Sequence, residues 1–205
     1  LVLYEQVKSF KPKEVVEFGT GITTVVLAQA LIENARDSGD AIGRLTSMED
    51  DQEWYDVACS RLPDKVADVV DMVHSPKVDG FYKCFRGVMY ESLPDRDYDF
   101  VFSDGPDRHS PVNVDKLFNL DLINVVRNTE VPVRAVVDNH YLTFYILQKV
   151  FGLSRARYSV SHKLMFVGPV TSGDLRFLRK ESFLPDLRLF STTELKLRMA
   201  REDGE

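Results

Sequence analysis

The feature that most constrains this chain is a short apolar run that ends on two closely spaced glycines. Residues 15–18 form the run, Gly19 and Gly21 follow it, and an apolar-periodic stretch occupies residues 25–32. Glycine permits positive φ and close approach of the backbone to a ligand, and a helix N-terminus offers free N–H groups. The pattern predicts a buried strand, a cofactor-binding turn and a helix. A turn without any ligand is the alternative reading of the two glycines.

The residues around the turn indicate which kind of cofactor it suits. A dinucleotide-binding turn usually reads G-x-G-x-x-G, whereas here Thr24 stands in place of the third glycine. Glu17 lies just before the turn, where a carboxylate would repel a pyrophosphate and attract a ligand that carries an ammonium and a sulfonium. S-adenosylmethionine is such a ligand. A nicotinamide-dependent oxidoreductase is the less favoured alternative.

Composition restricts the class of protein further. A chain of 205 residues with 44% hydrophobic and 28% charged residues predicts one globular domain with a substantial core. Its net charge of −6 disfavours a general nucleic-acid binder. Cys59 and Cys84 are too few for a disulfide framework, so we expect a reducing, cytoplasmic location. No apolar run reaches membrane-spanning length, and no membrane association is expected.

Strand-like and helix-like segments alternate along the chain. This alternation predicts an α/β fold with a mostly parallel sheet covered by helices on both faces. Residues 157–160 and 163–167 are expected to form an antiparallel hairpin at the C-terminal end of the sheet. Helices are expected at residues 1–10, 24–35, 51–62, 114–126 and 141–151, and the remaining strands at 14–17, 44–48, 69–73, 98–103 and 135–137.

The residues that end the five parallel strands are candidates for a binding site, because ligands of such sheets bind beyond the carboxyl ends of the strands. These residues are Glu17, Glu49, Ser75, Asp104 and the pair Asp138-Asn139. Glu49 is placed to accept the hydroxyls of a ribose, and Ser75 to donate to an adenine ring. The alternative for Glu49 is a favourable charge at the N-terminus of the following helix.

Four segments together resemble the successive motifs of class I S-adenosylmethionine-dependent methyltransferases, and their spacing is most similar to the catechol O-methyltransferase-like branch. They are residues 17–21 (EFGTG), 46–50 (TSMED), 99–105 (DFVFSDG) and 136–139 (VVDN). The resemblance covers residues 1–168. It implies a Rossmann-like methyltransferase domain in which Glu17 and the backbone of Gly19 to Gly21 hold the methionine moiety and Glu49 holds the ribose.

The same resemblance implies a magnesium site formed by Asp104, Asp138 and Asn139. Magnesium prefers hard oxygen ligands and often takes only two or three from the protein. An ion there would bind both oxygens of a vicinal diol and favour methyl transfer to one of them. Two alternatives stay open: Asp138-Asn139 caps the following helix, and Asp104 contacts the methionine end of the cofactor.

One position departs from the family pattern. The catalytic lysine of the family falls three residues after the first metal aspartate, where this chain has Asp107. His109 is a candidate replacement base, because a neutral imidazole accepts a proton near neutral pH. A loop histidine without a chemical role is the alternative. The departure also leaves open a cofactor-binding protein without turnover.

Residues 169–205 differ in character from the rest of the chain. They interleave apolar side chains with both basic and acidic ones. We expect this extension to pack on the domain or on a partner subunit, which would make a homodimer. A small-molecule substrate is the expected partner of the domain itself, and binding of nucleic acid is not expected.

Overall fold

The computed structural model describes residues 1–138 and 140–175, over which helices and strands alternate. The helices are α1 (Val2–Phe10), α2 (Ile22–Ser38), α3 (Gln52–Arg61), α4 (Asp64–Ala67), α5 (Asp121–Asn128) and α6 (Tyr141–Phe151). The strands are β1 (Glu14–Phe18), β2 (Arg44–Glu49), β3 (Val70–His74), β4 (Lys77–Tyr82), β5 (Phe85–Tyr90), β6 (Phe100–Ser103), β7 (Phe118–Asn119), β8 (Val133–Val137), β9 (Ala156–Ser159) and β10 (Leu164–Val170).

The main sheet has seven strands in the order β3-β2-β1-β6-β8-β10-β9. The first five strands in this order pair in parallel, whereas β10 runs antiparallel to both of its neighbours. The predicted α/β fold, with parallel strands and a C-terminal antiparallel hairpin, is therefore confirmed. Strand order reverses beside β1, which pairs with β2 on one side and β6 on the other.

Helices cover both faces of this sheet because successive side chains of each strand point to opposite faces. In β1, Val15 packs in the cluster that contains Leu27 and Leu31 of α2. Its neighbours Val16 and Phe18 pack in the other cluster, which reaches the hairpin and α6. Burial on both faces explains why the parallel strands read as continuous apolar runs in the sequence.

A second, three-stranded sheet in the order β4-β5-β7 was not predicted from the sequence. It connects β3 to β6 through the β4–β5 hairpin. Gly80 and Gly87 interrupt its apolar pattern, and both lie against other groups: a Cβ added to Gly80 would come within 2.6 Å of the Met89 sulfur. One added to Gly87 would lie 3.0 Å from the Phe118 ring. The two glycines interrupt the alternation that would have predicted the hairpin, and they also let its strands pack closely against Met89 and Phe118.

The predicted helix over residues 114–126 is wrong in its first half. Helix α5 spans only Asp121–Asn128, and residues 118–119 pair with β5 instead. Val114 has φ of +56° and is 78% exposed, so neither its backbone nor its side chain suits a packed helix. The apolar spacing is nevertheless regular, because Phe118 of β7 and Leu122 and Ile123 of α5 are all buried.

The described part of the chain has no helix that is both long and apolar enough to cross a membrane. Strand β10 continues past the expected domain boundary at residues 168 and 169, to Val170. Most of the expected C-terminal extension, residues 176–205, lies outside the described residues, as does Asn139. The expected packing of the extension and the expected homodimer stay predictions.

Candidate functional site

The turn after β1 is held by side chains on both sides of it. Thr24, which stands in place of a third glycine, accepts a hydrogen bond from the Gly21 N–H (3.1 Å) and donates one to Glu17 (2.5 Å). Gly19 has φ of +95°, a conformation that favours glycine. The departure from the dinucleotide pattern therefore exchanges a glycine for a hydroxyl that links the turn to the strand before it.

Glu17 is fully buried between the sheet and α2, and it does not line the open cleft described below. Three hydroxyls donate to its carboxylate: those of Thr23 (2.5 Å), Thr24 (2.5 Å) and Ser47 (2.7 Å), the last from the neighbouring strand β2. Burial raises the pKa of Glu17 to about 7, even though these hydrogen bonds act to lower it. Its direct role in the structure is to fix the glycine turn.

The turn after β1 and the loop after β6 touch through their backbones. A Cβ placed on Gly19 would lie 3.1 Å from the Gly105 nitrogen, and one placed on Gly105 would lie 3.0 Å from the Gly19 Cα. The Phe18 carbonyl accepts hydrogen bonds from the N–H groups of both Asp104 (2.9 Å) and Gly105 (2.6 Å). Two glycines are required because no side chain fits between the loops.

A cleft of about 790 Å³ opens over these two loops at the carboxyl ends of the strands. Its position, beside the strand β1 at which strand order reverses, is where α/β sheets bind ligands. Its walls come from the turns after β1, β2 and β6, from α3, from the first residue of β4 and from the residue before α6. The lining residues are Gly19, Thr20, Glu49, Asp50, Asp51, Glu53, Trp54, Val57, Lys77, Asp104, Gly105, Pro106, Asp107, Arg108 and His140.

Glu49 lies in this cleft at the end of β2, as the ribose hypothesis requires. One carboxylate oxygen accepts from the hydroxyl of Thr20 (2.8 Å) and its N–H (3.2 Å), and the other from the N–H groups of Asp50 (3.0 Å) and Asp51 (3.2 Å). The second pair places the carboxylate just before α3, whose N-cap is Asp51. These contacts support the role of Glu49 at the start of the helix, and binding of a ribose by Glu49 stays a prediction.

Ser75 lies at the end of β3, as expected, but it is not among the residues that line the cleft. It is buried, and its hydroxyl oxygen accepts a hydrogen bond from the Ser92 N–H (3.0 Å). This contact ties the end of β3 to the segment that follows the β4–β5 hairpin. Binding of adenine by Ser75 stays a prediction.

Asp104 and Asp138 come together at the ends of β6 and β8. Partial burial, together with the charge and proximity of the Asp138 carboxyl group, raises the pKa of Asp104 to about 6. Two carboxyl groups in contact repel each other when both are charged, and a cation between them relieves that repulsion. The third expected ligand, Asn139, lies outside the described residues.

Two carboxylates from adjacent strand ends match the chemistry of a magnesium site, since this ion is often held by one or two carboxylates with water and substrate completing the shell. Within residues 1–138 and 140–175, however, no group of three or more His, Cys, Asp or Glu side chains is arranged to hold a metal ion. The carboxylates of Asp104 and Asp138 therefore fit a magnesium ion only if other ligands complete its shell.

Asp107, which replaces the family lysine, lies between two basic groups. Lys77 Nζ is 2.6 Å from its Oδ2, and His109 Nδ1 is 3.0 Å from its Oδ1. Although partial burial acts to raise it, the hydrogen bonds from Lys77 and His109 lower the pKa of Asp107 to about 2. A lysine side chain therefore lies beside this position, and it comes from β4 rather than from the loop itself.

His109 itself is partly exposed and is not among the residues that line the cleft. It forms an isolated antiparallel bridge with Lys116, which holds the backbone of the loop. If its Nδ1 donates to Asp107, its Nε2 is left to accept a proton. The structure therefore places the predicted base beside the cleft, oriented by a carboxylate.

His140 and Arg108 are cleft residues that the sequence reasoning did not select. Burial lowers the pKa of His140 to about 4, and the nearby Arg108 guanidinium acts in the same direction. The Nδ1 atom of His140 is buried and has no hydrogen-bond partner within the described residues. The useful sequence signal was position: His140 directly follows the Asp138-Asn139 strand end, and Arg108 directly follows Asp107.

Comparison with known proteins supports the fold. No protein-family model and no curated protein sequence matches the chain. A methyltransferase-like protein from Silicibacter pomeroyi has a solved structure that is 14% identical, covers 92% of this chain and 93% of its own length, and superposes with a TM-score of 0.53. A precorrin-6Y C5,15-methyltransferase from Geobacter metallireducens gives a TM-score of 0.42 at 18% identity, over 79% of this chain and 84% of its own.

The first of these structures, together with the strand order, defines the class of fold: the chain has the Rossmann-like methyltransferase fold. A likeness at this level of identity concerns the arrangement of the backbone. The catechol O-methyltransferase-like branch suggested by the sequence motifs stays a prediction.

Proposed function

We propose that this protein is an S-adenosylmethionine-dependent methyltransferase. The observation that carries the proposal is the cleft over the Gly19–Gly105 contact, with Glu49 at the end of β2 on its wall. In a sheet of this class, that position receives the ribose of a nucleoside ligand, and the glycine turn receives the part attached to it. Glu17 contributes by holding the turn through Thr24 rather than by facing the cleft.

Methyl transfer to an oxygen of a small molecule is the reaction that suits the rest of the cleft. Asp104 and Asp138, with Asn139, would hold a magnesium ion, and that ion would lower the pKa of a bound hydroxyl. The structural support is the contact between the two carboxyl groups at adjacent strand ends. The protein itself would orient the acceptor oxygen toward the cofactor and hold Asp104 and Asp138 at the carboxyl ends of their strands.

His109 is the proposed base. Asp107 accepts from Nδ1 and so favours the tautomer in which Nε2 takes the proton of the acceptor hydroxyl. Lys77 holds Asp107 from the other side and keeps it ionised. In this arrangement Asp107 and Lys77 are positioning residues, because they act through His109 rather than on the acceptor.

Two alternatives differ from the proposal, and a methyl-transfer assay separates the first of them, whereas a ligand-binding panel separates the second. A cofactor-binding protein without turnover would bind the same ligands but transfer no methyl group, and a nicotinamide-dependent oxidoreductase would bind NAD or NADP instead. The experiment is a thermal-unfolding panel with S-adenosylmethionine, S-adenosylhomocysteine, NAD and NADP, each with magnesium or with a chelator. A ligand that binds only the folded protein raises the unfolding midpoint.

We expect S-adenosylhomocysteine to raise the midpoint and NAD to leave it unchanged. Glu49→Ala should weaken the binding of S-adenosylhomocysteine by about 1.5–3 kcal/mol, the scale for losing hydrogen bonds to a charged group. Asp56→Asn, on the exposed side of α3, is the matched control. Stabilisation by NAD that equals or exceeds that by S-adenosylhomocysteine would overturn the proposal.

A further inference from the structure

Arg108 is the cleft residue whose charge has no use in the proposed reaction. Arg108 lines the cleft and is half-buried, in the loop that follows β6. Its backbone is fixed, since the Arg108 carbonyl accepts a hydrogen bond from the Leu117 N–H (2.9 Å). Across the part of the chain that the structure describes, the guanidinium forms no ion pair with any carboxylate.

Lys77, the other basic side chain of the cleft apart from histidine, is already paired within the protein. The Lys77 ammonium lies 2.6 Å from Asp107 and 3.6 Å from Asp50, so its charge is neutralised within the protein. Asp104, which also lines the cleft, forms no ion pair with Arg108 among the described residues. A partly desolvated guanidinium without a partner is costly, and an anionic ligand would remove that cost.

We propose that the acceptor substrate carries a carboxylate, which Arg108 binds while the hydroxyl to be methylated lies toward Asp104 and Asp138. This proposal rests on the proposed function, since it names the substrate class of the same cleft. Guanidinium groups bind carboxylates through paired hydrogen bonds of fixed geometry, which gives direction as well as affinity. One unpaired positive charge matches a monoanion; a phosphate dianion would leave excess negative charge beside Asp104.

The test compares two vicinal diols that differ only in charge: 3,4-dihydroxybenzoate and 3,4-dihydroxybenzamide. Their affinities are measured by calorimetry on the protein saturated with S-adenosylhomocysteine and magnesium. We expect the acid to bind about tenfold or more tightly than the amide, the scale set by one charge-assisted contact. Arg108→Gln should reduce this preference to within about twofold, whereas Arg108→Lys, which keeps the charge, should retain part of it.

Arg36→Gln is the matched control, since Arg36 lies on α2 with 73% of its side chain exposed and pairs only locally with Asp37. It should leave the preference for the acid unchanged. Equal affinities in the parent protein, no binding of the acid, or a preference that survives in Arg108→Gln would each overturn the inference. Weaker S-adenosylhomocysteine binding in Arg108→Gln, with the acid preference intact, would assign Arg108 to the cofactor and also overturn it.

Failure of the proposed function has a different signature. In that case S-adenosylhomocysteine would not raise the unfolding midpoint of the parent protein, irrespective of any acid. If S-adenosylhomocysteine stabilises the protein but the acid binds no more tightly than the amide, the cofactor assignment stands. Only the inference that the substrate carries a carboxylate is then overturned.

Discussion

The ammonium Nζ of Lys77 lies 2.6 Å from Oδ2 of Asp107, although the two residues are 30 positions apart and only Lys77 belongs to a strand. Lys77 is the first residue of β4, and Asp107 follows β6. This pair places a positive charge beside the loop after β6, in which the motif comparison shows an aspartate where a lysine is expected. It also fixes the carboxylate that orients His109.

The first prediction concerns this pair. Lys77→Met removes the hydrogen bond that lowers the pKa of Asp107, so that pKa should rise from about 2 toward its ordinary value of 3.8. A carboxyl-carbon NMR titration of Asp107 measures the change directly. Lys65→Met, on α4, is the control and should leave the titration of Asp107 in place. An unchanged midpoint in Lys77→Met would show that the ion pair does not persist in solution.

The second prediction concerns the buried Glu17. Its folded-state pKa of about 7 lies above its ordinary value of 4.5, so the stability it contributes is complete below pH 4.5 and is lost as the pH rises through 7. Glu17→Gln removes that dependence. The free energy of unfolding of the variant, relative to the parent, should therefore increase by about 3 kcal/mol between about pH 4 and pH 8.

Denaturant unfolding at a series of pH values measures this difference for Glu17. The exposed Glu5 of α1 supplies the comparison, since Glu5→Gln should give a curve parallel to that of the parent protein. Parallel curves for Glu17→Gln and the parent would contradict the assignment of a proton to Glu17 near neutral pH.

The third prediction uses two glycines with similar backbones and different surroundings. Gly19 has φ of +95° and Gly39 has φ of +75°, but only Gly19 faces another backbone within 4 Å of an added Cβ. Gly39→Ala should cost about 1 kcal/mol of unfolding free energy from backbone strain alone. Gly19→Ala should cost more and should also abolish stabilisation by S-adenosylhomocysteine. Equal effects of the two variants on both readouts would contradict the close approach of the loops.

The fourth prediction concerns the carboxyl pair. Asp138→Asn should weaken binding of magnesium, measured by calorimetry with S-adenosylhomocysteine present, by about tenfold or more. Binding of S-adenosylhomocysteine without magnesium should not change. Asp95→Asn, an exposed residue outside the cleft, is the control. Methyl transfer that continues undiminished with a chelator present would remove the ion from the reaction and leave Asp138 as a helix-end residue.

The fifth prediction concerns the base. His109→Ala should lower the rate of methyl transfer by roughly 10²–10⁴-fold, the usual effect of removing a general base. Asp107→Asn should lower it less, because the imidazole remains but loses the partner that orients it. The readout is kcat at saturating cofactor, with His162→Ala in the β9–β10 turn as control. A rate in His109→Ala close to that of the parent would mean that lowering the pKa of the acceptor hydroxyl is sufficient.

The main sheet could be predicted because its strands are buried on both faces and so leave continuous apolar runs. The ends of those runs also located Glu49, Asp104 and Asp138 correctly at one edge. The role of Glu17 was less accessible. Its hydroxyl partners include Ser47, which sits opposite it only because β1 and β2 pair in that register. Periodicity reports which face a side chain occupies, but not what lies across from it.

The second sheet and its lysine were missed for a different reason. Gly80 and Gly87 break the alternation of the β4–β5 hairpin, and the reason they are glycines lies in Met89, Leu120 and Phe118, which are neighbours in space. Lys77 could be assigned to the cleft only once that hairpin was placed. Local sequence therefore predicts the residues at the strand ends of this site. The residues that shift the pKa of those groups, such as Lys77, come close to them only through long-range packing.

The backbone contact between Gly19 and Gly105 also makes the two sides of the cleft mechanically dependent on each other. One loop faces the proposed cofactor, and the other leads from Asp104 to Arg108. Because not even an added Cβ fits between Gly19 and Gly105, neither loop can shift toward the other without displacing it. Ligands on the two sides should therefore bind cooperatively. By thermodynamic reciprocity, whatever factor the cofactor adds to the affinity for the acceptor, the acceptor must add to the affinity for the cofactor.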